Sequence, residues 1–233
     1  MTQTTPRHLP LILVLMAVFA ALGLGFGERW FSRHGAHVSR VQAETSRAAG
    51  PSLSAQALVY PQPRVLAPFL LQRAGGGTLS NADLRGGWTL VFFGFTHCPD
   101  VCPTALATFK QVEELHRKAP NAGGTPTFDL NYWFVSVDPD RDTPAVLEDY
   151  TAYFSPAIVA ATAPPADVEK LARDFGVVFF KVPQTGADYT IDHSIQLLLV
   201  DPDGKLHAMW RPPHIAPLLL DDIARIASTR ARA

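Results

Sequence analysis

Both cysteines of the 233-residue chain lie in one short segment, FFGFTHCPDVCPT, at residues 92–104. Cys98 and Cys102 are separated by three residues, and Pro103 follows the second. Proline has no backbone N–H and is tolerated in the first turn of a helix, so we expect a helix to begin near Pro103. Cys98 then lies in the preceding loop and Cys102 at the helix start, where backbone N–H groups and the helix dipole favour thiolates. Two sulfurs four positions apart can form a disulfide or bind one soft metal ion.

Three interpretations of this pair remain open from the residues alone. Buried, inert cysteines are the first, although two thiols flanked by prolines in one loop are a poor match to it. A dithiol redox centre is the second, but the usual redox motif has two intervening residues instead of three. Metal binding is the third, and two thiolates alone rarely complete a metal site, so this interpretation requires a further ligand.

The histidines supply the candidates for that ligand. His97 is adjacent to Cys98, and neighbouring side chains on an extended backbone point apart. His116 falls on the polar side of the predicted helix, and His207 and His214 fall near turns. His193 directly precedes an apolar strand that would run beside the strand ahead of the cysteines. Spacing alone makes His193 one candidate among several.

The chemistry of such a ligand set indicates which metal it would prefer. Thiolates select Cu(I), and two sulfurs with one imidazole and a free position can also hold Cu(II). Zinc accepts the same atoms but normally has four protein ligands in a structural site. With only two cysteines in the chain, the set favours copper.

Apolar segments around the cysteines predict the elements that would position them. Short, continuously apolar segments indicate buried strands, and apolar residues at helical spacing indicate amphipathic helices. The predicted strands are 88–95, 132–137, 195–200 and 206–210, and the predicted helices are 103–118, 143–154, 167–175 and 215–227. This order predicts an α/β fold with a mixed sheet flanked by helices and resembles the thioredoxin-like arrangement.

The N-terminal part has a different composition. Residues 9–27 are apolar and uncharged, and about 19 helical residues span roughly 29 Å, the thickness of a bilayer core. We expect one transmembrane helix at 9–27 after a cytoplasmic segment at 1–8, with a cleaved signal peptide as the alternative. Residues 28–62 are expected to be a linker and 63–233 the globular domain. The net charge of −1 argues against a nucleic-acid partner.

Three separate blocks of the chain resemble the Sco/SenC family of copper chaperones. These are GFTHCPDVCPT at 94–104, SVDPDRDTP at 136–144 and DHS at 192–194. Their order and spacing agree with that family across residues 67–226. Together they are far more specific than an isolated pair of cysteines.

The resemblance implies a thioredoxin-like domain exported from the cytoplasm and tethered by one transmembrane helix. It implies copper ligands at Cys98, Cys102 and His193. It also implies an accessory role in copper handling for Asp138, with a carboxylate that caps the strand end or a turn as the alternative. The implied partners are cytochrome c oxidase subunit II, whose dinuclear copper centre such proteins help assemble, its assembly factors and other copper carriers. The short N-terminal segment has no Arg/Ser-rich transit stretch, which favours the bacterial inner membrane as the location, with the domain on the periplasmic side.

The resemblance predicts a metallochaperone without catalytic residues, although the same thiols could reduce those of the target. A membrane-tethered thiol–disulfide oxidoreductase that uses Cys98 and Cys102 as a redox pair is one alternative. A copper or redox sensor that signals without transferring metal is the other. The sequence leaves the choice between them open.

Overall fold

The computed structural model describes residues 53–119, 128–186 and 188–230. The strands are β1 (Ala57–Val65), β2 (Leu70–Arg73), β3 (Thr78–Ser80), β4 (Trp88–Gly94), β5 (Leu130–Ser136), β6 (Ile158–Thr162), β7 (Phe179–Pro183), β8 (Tyr189–His193), β9 (Leu197–Val200) and β10 (Lys205–Trp210). The helices are α1 (Val101–Lys118), α2 (Pro144–Ala152), α3 (Pro165–Phe175) and α4 (Ala216–Arg230).

Strand β4 lies at the centre of the domain. Its sequence WTLVFFG is apolar without alternation, and all seven residues are buried. It pairs in parallel with β5 and antiparallel with β9. A strand with neighbours on both edges and packing on both faces needs a continuously apolar sequence, which confirms the interpretation of this segment.

The main sheet within the described residues has eight strands in the order β1-β10-β9-β4-β5-β6-β2-β3. The three consecutive strands β4, β5 and β6 are parallel, and the other pairings are antiparallel. This mixed sheet with flanking helices confirms the predicted thioredoxin-like class. The chain leaves β4 at its carboxyl end and enters α1 after a short loop. This loop and the start of α1 carry the two cysteines.

The ends of the helices follow from local sequence. Helix α1 begins at Val101, with Pro103 in its first turn. Helix α2 follows Thr143, whose hydroxyl accepts a hydrogen bond from the Val146 amide at 3.4 Å. Helix α3 ends at Gly176, which adopts a left-handed conformation with φ of 72°. Glycine adopts this conformation at little cost because it has no Cβ.

Strands β7 and β8 form a separate two-stranded sheet outside the main one. They pair antiparallel, with Phe179 opposite His193 and Pro183 opposite Tyr189. At the base of this hairpin, the Ser194 amide donates to the Val178 carbonyl at 2.8 Å. The sequence pattern did not predict this hairpin, although the hairpin carries His193.

The N-terminal expectations differ from the structure at one boundary. Strand β1 begins at Ala57 and pairs with β10, so residues 57–62 of the expected linker belong to the sheet. The sequence ALVYPQPRV did not predict this edge strand because it contains two prolines and no long apolar run. The expected membrane helix at 9–27 lies outside the described residues. Within the described ranges, no helix combines the length and the apolar character needed to cross a membrane.

Candidate metal centre

Three side chains from separate segments meet where β4 ends. One potential ligand atom from each of Cys98, Cys102 and His193 lies within 4.8 Å of the others. Cys102 Sγ is 3.5 Å from His193 Nε2, and the Cys102 amide donates to Cys98 Sγ at 3.4 Å. Among the described residues this is the one group of histidine, cysteine or carboxylate side chains with such geometry.

The two cysteines differ in accessibility. Cys102 is completely buried under the loop, whereas Cys98 is 9% exposed. A groove of about 310 Å³ opens onto Cys98 and His193, with Phe95, Val101 and Ile191 among the lining residues. Another molecule can therefore reach Cys98 and the imidazole from this groove, but not the sulfur of Cys102.

The thiols also differ in acidity. Hydrogen bonding from Cys102, with a smaller contribution from His193, outweighs the effect of burial and lowers the pKa of Cys98 to about 4. Sharing its proton with Cys98, together with burial, raises the pKa of Cys102. The metal-free, reduced pair therefore carries one negative charge at neutral pH, centred on Cys98.

The His193 ring is oriented by its own segment and by two aromatic rings. Its Nδ1 lies 2.9 Å from the carbonyl oxygen of Ser194, which accepts a hydrogen bond when Nδ1 carries the proton. Nε2 then has its lone pair free on the side of the thiols. The rings of Phe92 and Phe95 each lie 5.8 Å from the imidazole in edge-on contact.

The loop that carries Cys98 is anchored by Asp142. This buried carboxylate accepts hydrogen bonds from the Thr96 amide at 3.0 Å and the Thr96 hydroxyl at 2.5 Å. It also accepts one from the Ser136 hydroxyl at 2.6 Å. A buried carboxylate with three donors is well satisfied, so Asp142 fixes the loop two residues before the first cysteine.

Asp138, the expected accessory residue, is fully buried and its carboxylate is already engaged. Arg141 Nε donates to one oxygen at 2.5 Å, and the hydroxyl of Tyr189 donates to the other at 2.6 Å. Asp138 is not a member of the three-residue group. Both of its carboxylate oxygens therefore accept hydrogen bonds from neighbouring side chains, and its accessory role in copper handling stays a prediction.

The other histidines of the described residues lie outside the group. His97 is 55% exposed, and its Nδ1 lies 3.1 Å from the Thr96 hydroxyl, on the side of Asp142. His116 contacts the Phe128 ring, His207 contacts Asp201, and His214 contacts the Trp210 carbonyl. His34 and His37, which lie in the expected linker, fall outside the described ranges.

Four supporting residues were not identified from the sequence: Thr96, Asp142, Arg141 and Tyr189. For Arg141 and Asp142 the signal was present in the second block, where a run of charged residues directly follows a buried strand. Charged side chains at such a position must either reach solvent or find partners. Sequence alone does not tell which partner each of them meets.

Close packing beneath the site requires a glycine at the end of β4. A Cβ on Gly94 would lie 2.7 Å from Cys102 Sγ and 2.9 Å from Phe134 Cε2. Both distances are shorter than any normal contact. The sulfur of Cys102 therefore rests directly against the backbone of β4.

The donor set suits a soft metal ion. Two sulfurs and one imidazole nitrogen match the preference of copper, and three ligands are one fewer than a closed zinc site normally has. Both cysteines are free thiols in this structure, and their proximity would also allow a disulfide. Metal binding and dithiol redox chemistry are both compatible with this geometry.

Comparisons with known proteins agree with the three sequence blocks. The family model SCO1/SenC matches residues 59–228. The chain is 33% identical over 158 residues to mitochondrial SCO1 homolog 1 of Arabidopsis thaliana, an alignment that covers 68% of this chain and 46% of that protein. It is 30% identical over 216 residues to the mitochondrial SCO2 homolog of Bos taurus, covering 90% of this chain and 74% of the relative.

Solved structures give the same result. The structure of Bradyrhizobium japonicum ScoI with copper bound superposes with a TM-score of 0.61 at 34% identity. The match covers 69% of this chain and 98% of that one. From its fold, its three motif blocks and these similarities, the chain belongs to the SCO1/SenC family.

Proposed function

We propose that the protein is a copper chaperone that binds copper through Cys98, Cys102 and His193. It delivers the metal to the dinuclear copper site of cytochrome c oxidase subunit II. The observation that carries this proposal is the convergence of the three ligand atoms within 4.8 Å. Membership of the SCO1/SenC family and the copper bound to the Bradyrhizobium protein support it.

The accessibility of the site supports a role in transfer. The groove exposes Cys98 and the imidazole, so an incoming thiolate can replace those ligands one at a time through shared-ligand intermediates. The metal would then never have to pass through solvent. A fully enclosed site would bind copper more tightly but would block this exchange.

Copper titration of the purified, reduced protein tests the proposal. We expect one equivalent of copper for the native protein, and we expect Cys98→Ser or Cys102→Ser to abolish tight binding. His193→Ala should weaken Cu(II) more than Cu(I), because two thiolates can hold Cu(I) without the imidazole. His97→Ala is the matched control, since its ring lies beside Cys98 but outside the group. Unchanged affinity and absorption in Cys98→Ser would refute the assignment.

The unequal thiols favour reduction of target cysteines as a second candidate function. The Cys98 thiolate would attack one sulfur of a target disulfide, forming a mixed disulfide and releasing one target thiolate. Cys102, after losing its proton to solvent, would attack Cys98 and release the second thiolate, and an external dithiol would reduce the resulting Cys98–Cys102 disulfide. Two electrons reach the target in each cycle.

One experiment separates the two functions. Reduced, metal-free protein is mixed with an oxidised subunit II fragment, and copper-loaded protein is mixed with a reduced one. Fast disulfide reduction without copper supports the reductase, whereas copper transfer restricted to the reduced fragment supports the chaperone. Release of copper without transfer in either mixture would favour a sensor.

The membrane tether is part of the same proposal. Residues 9–27 would anchor the chain in the bacterial inner membrane with the domain on the periplasmic side, where subunit II presents its copper site. Fractionation of cells that express the full chain tests this, with protease added to spheroplasts. We expect the protein in the membrane fraction with a domain that protease can reach; recovery in the cytosolic fraction would contradict the tether.

A further inference from the structure

The hairpin of β7 and β8 is joined to the rest of the domain by few polar contacts. Its backbone hydrogen bonds, including the one from the Ser194 amide to the Val178 carbonyl at the base, connect the two strands to each other. The Tyr189 hydroxyl, the Tyr189 carbonyl and the Lys181 amine all bond to partners in the segment 138–141. Apart from the contact of His193 with Cys102, these are the side-chain hydrogen bonds from the two strands to other described elements.

Three side chains form the centre of this connection, and we name Asp138, Arg141 and Tyr189 the clasp. Arg141 Nε bonds to Asp138, and Arg141 Nη1 donates to the Tyr189 carbonyl at 2.9 Å. The guanidinium also lies over the Tyr189 ring, 3.8 Å from its centroid. Tyr189 is therefore held by its hydroxyl, its ring and its backbone carbonyl.

The clasp and His193 occupy opposite ends of the same strand. Tyr189 is the first residue of β8 and His193 is the last. Four residues of extended chain span about 13 Å, and a paired strand of this length moves as a unit. The base of the hairpin lies next to His193, and Ile191 in the middle of β8 is buried in the core. The clasp is therefore the polar part of the hairpin's attachment, at the end of β8 away from His193.

We propose that the clasp positions His193 against the thiols, with Arg141 as the residue that sets the hairpin in place. Arg141 is a positioning residue, since the metal group contains only the two cysteines and the histidine. The inference rests on the proposed copper function and assigns to the clasp the geometry of its third ligand.

The segment that follows β5 would then set both halves of the site. Asp142 holds the cysteine loop through Thr96, and Arg141, the preceding residue, holds the histidine hairpin. The distance between sulfur and imidazole would thus be fixed by neighbouring residues of one short connection.

Two variants of the full chain test the clasp. Arg141→Gln removes the charge, the stacking guanidinium and the bond to the Tyr189 carbonyl. Tyr189→Phe removes only the hydroxyl and serves as the milder change if Arg141→Gln proves poorly folded. Arg225→Gln is the matched control, since Arg225 is paired with Asp221 on α4.

The first measurement is hydrogen–deuterium exchange of the metal-free protein. We expect faster exchange in peptides that contain β7 and β8 for both clasp variants, with the cysteine loop and α1 unchanged. The second measurement is copper affinity by competition with chelators. Loss of a residue that orients a metal ligand typically costs 10–100-fold in affinity, so we expect Cu(II) to bind at least about tenfold more weakly and Cu(I) to be little affected.

The outcomes discriminate between the clasp and the copper function. Hairpin exchange that matches the native protein would overturn the inference, as would faster exchange with unchanged Cu(II) affinity. An equal loss of Cu(I) and Cu(II) binding would also overturn it, because the thiols would then be affected as well. A native protein that bound no copper would refute the proposed function, and the exchange data alone would then support or refute the clasp as the anchor of the hairpin.

Discussion

The two cysteines of the candidate metal centre have different chemical environments although they are only four positions apart. Cys98 receives hydrogen bonds from the Cys102 thiol and backbone, whereas Cys102 is buried against Gly94 and the Phe134 ring. A thiolate needs donors and a thiol tolerates burial, so one proton shared between two sulfurs settles on the inner one. Reactivity and metal exchange are therefore expected to start at Cys98.

The first prediction concerns the alkylation of the reduced, metal-free protein by iodoacetamide. An ordinary thiol with a pKa of about 8.5 reacts roughly tenfold faster for each pH unit between pH 6 and 8. Because the pKa of Cys98 is lowered to about 4, it is already a thiolate across this range, and its alkylation rate should be nearly independent of pH. Peptide mass spectrometry follows each cysteine separately.

The denatured protein provides the control for this measurement. Unfolding removes the hydrogen bonds, so both cysteines should regain the ordinary rise in rate with pH. Cys102 in the folded protein should react slowly at every pH because it is buried and its pKa is raised. A steep rise of the Cys98 rate in the folded protein would contradict the unequal pair.

The second prediction concerns Gly94→Ala. The new methyl group would meet Cys102 Sγ and Phe134 at under 3 Å, and overpacking of this kind typically costs about 1–3 kcal/mol of unfolding free energy. Because the sulfur itself must move, copper affinity should fall as well. Urea unfolding and copper competition measure the two effects.

Gly87→Ala is the matched control at the other end of β4. A Cβ there would lie 3.0 Å from Asn131 Nδ2 and 3.2 Å from Asp129 Cβ, so this variant is also crowded. It should lower stability without changing copper affinity. Loss of copper binding in both variants would mean that general destabilisation, and not displacement of Cys102, is the cause.

At the scale of elements, β4 and α1 could be predicted because all of their local sequence features indicate the same structure. The apolar strand, the two prolines and the amphipathic helix each indicate the same strand–loop–helix unit, and the cysteines are part of it. Two of the three candidate ligands therefore followed from local sequence. The position of His193 did not, because spacing along the chain cannot show which loop an imidazole meets.

Three of the missed strands are short and lack a clear apolar pattern. The sequence FFKVP of β7 and the sequence YTIDH of β8 are short and only partly buried, so neither has a long apolar segment nor a regular alternation. Their contacts with the segment 138–141 join residues that are distant in sequence. Strand β6, with the sequence IVAAT, was missed because it is brief and rich in alanine.

The third prediction belongs to the end of α3. Gly176 has φ of 72° and its added Cβ would find only Arg64 Nη1 at 4.0 Å, so the cost of a side chain there is backbone strain and not a clash. Gly176→Ala should lower the unfolding free energy by about 1–2 kcal/mol. Gly176→Asn should lose less, since asparagine adopts this conformation more readily. Urea unfolding distinguishes them; equal losses would contradict this explanation.

At the scale of the whole molecule, one buried carboxylate connects the start of the folded unit to its end. Asp222 of α4 accepts hydrogen bonds from the Ser54 amide at 2.9 Å and from the Trp210 indole at 2.9 Å. The compact unit begins at Leu53, ten residues before the expected boundary at 63. Ser54 and β1 therefore contribute to the stability of the domain.

The fourth prediction compares a fragment that begins at residue 53 with one that begins at 63. The shorter fragment lacks the Ser54 contacts and most of β1, which leaves residues 208–210 of β10 without their partners on β1. We expect it to unfold at lower urea concentration and to aggregate more readily. Ser54→Ala in the longer fragment isolates the contribution of the hydroxyl bond to Asp222. Equal stability of both fragments would place the boundary at 63 after all.

The complete burial of Cys102 has a consequence for the order of events during handover. A recipient protein that enters through the groove reaches Cys98 and His193 first. The bonds from the metal to these two ligands should therefore break before the bond to the sulfur of Cys102. The outer ligands would be exchanged first, and the metal would stay bound to Cys102 until the recipient had bound it. Under the proposed function, copper would therefore not be released as a free ion at any step of the transfer.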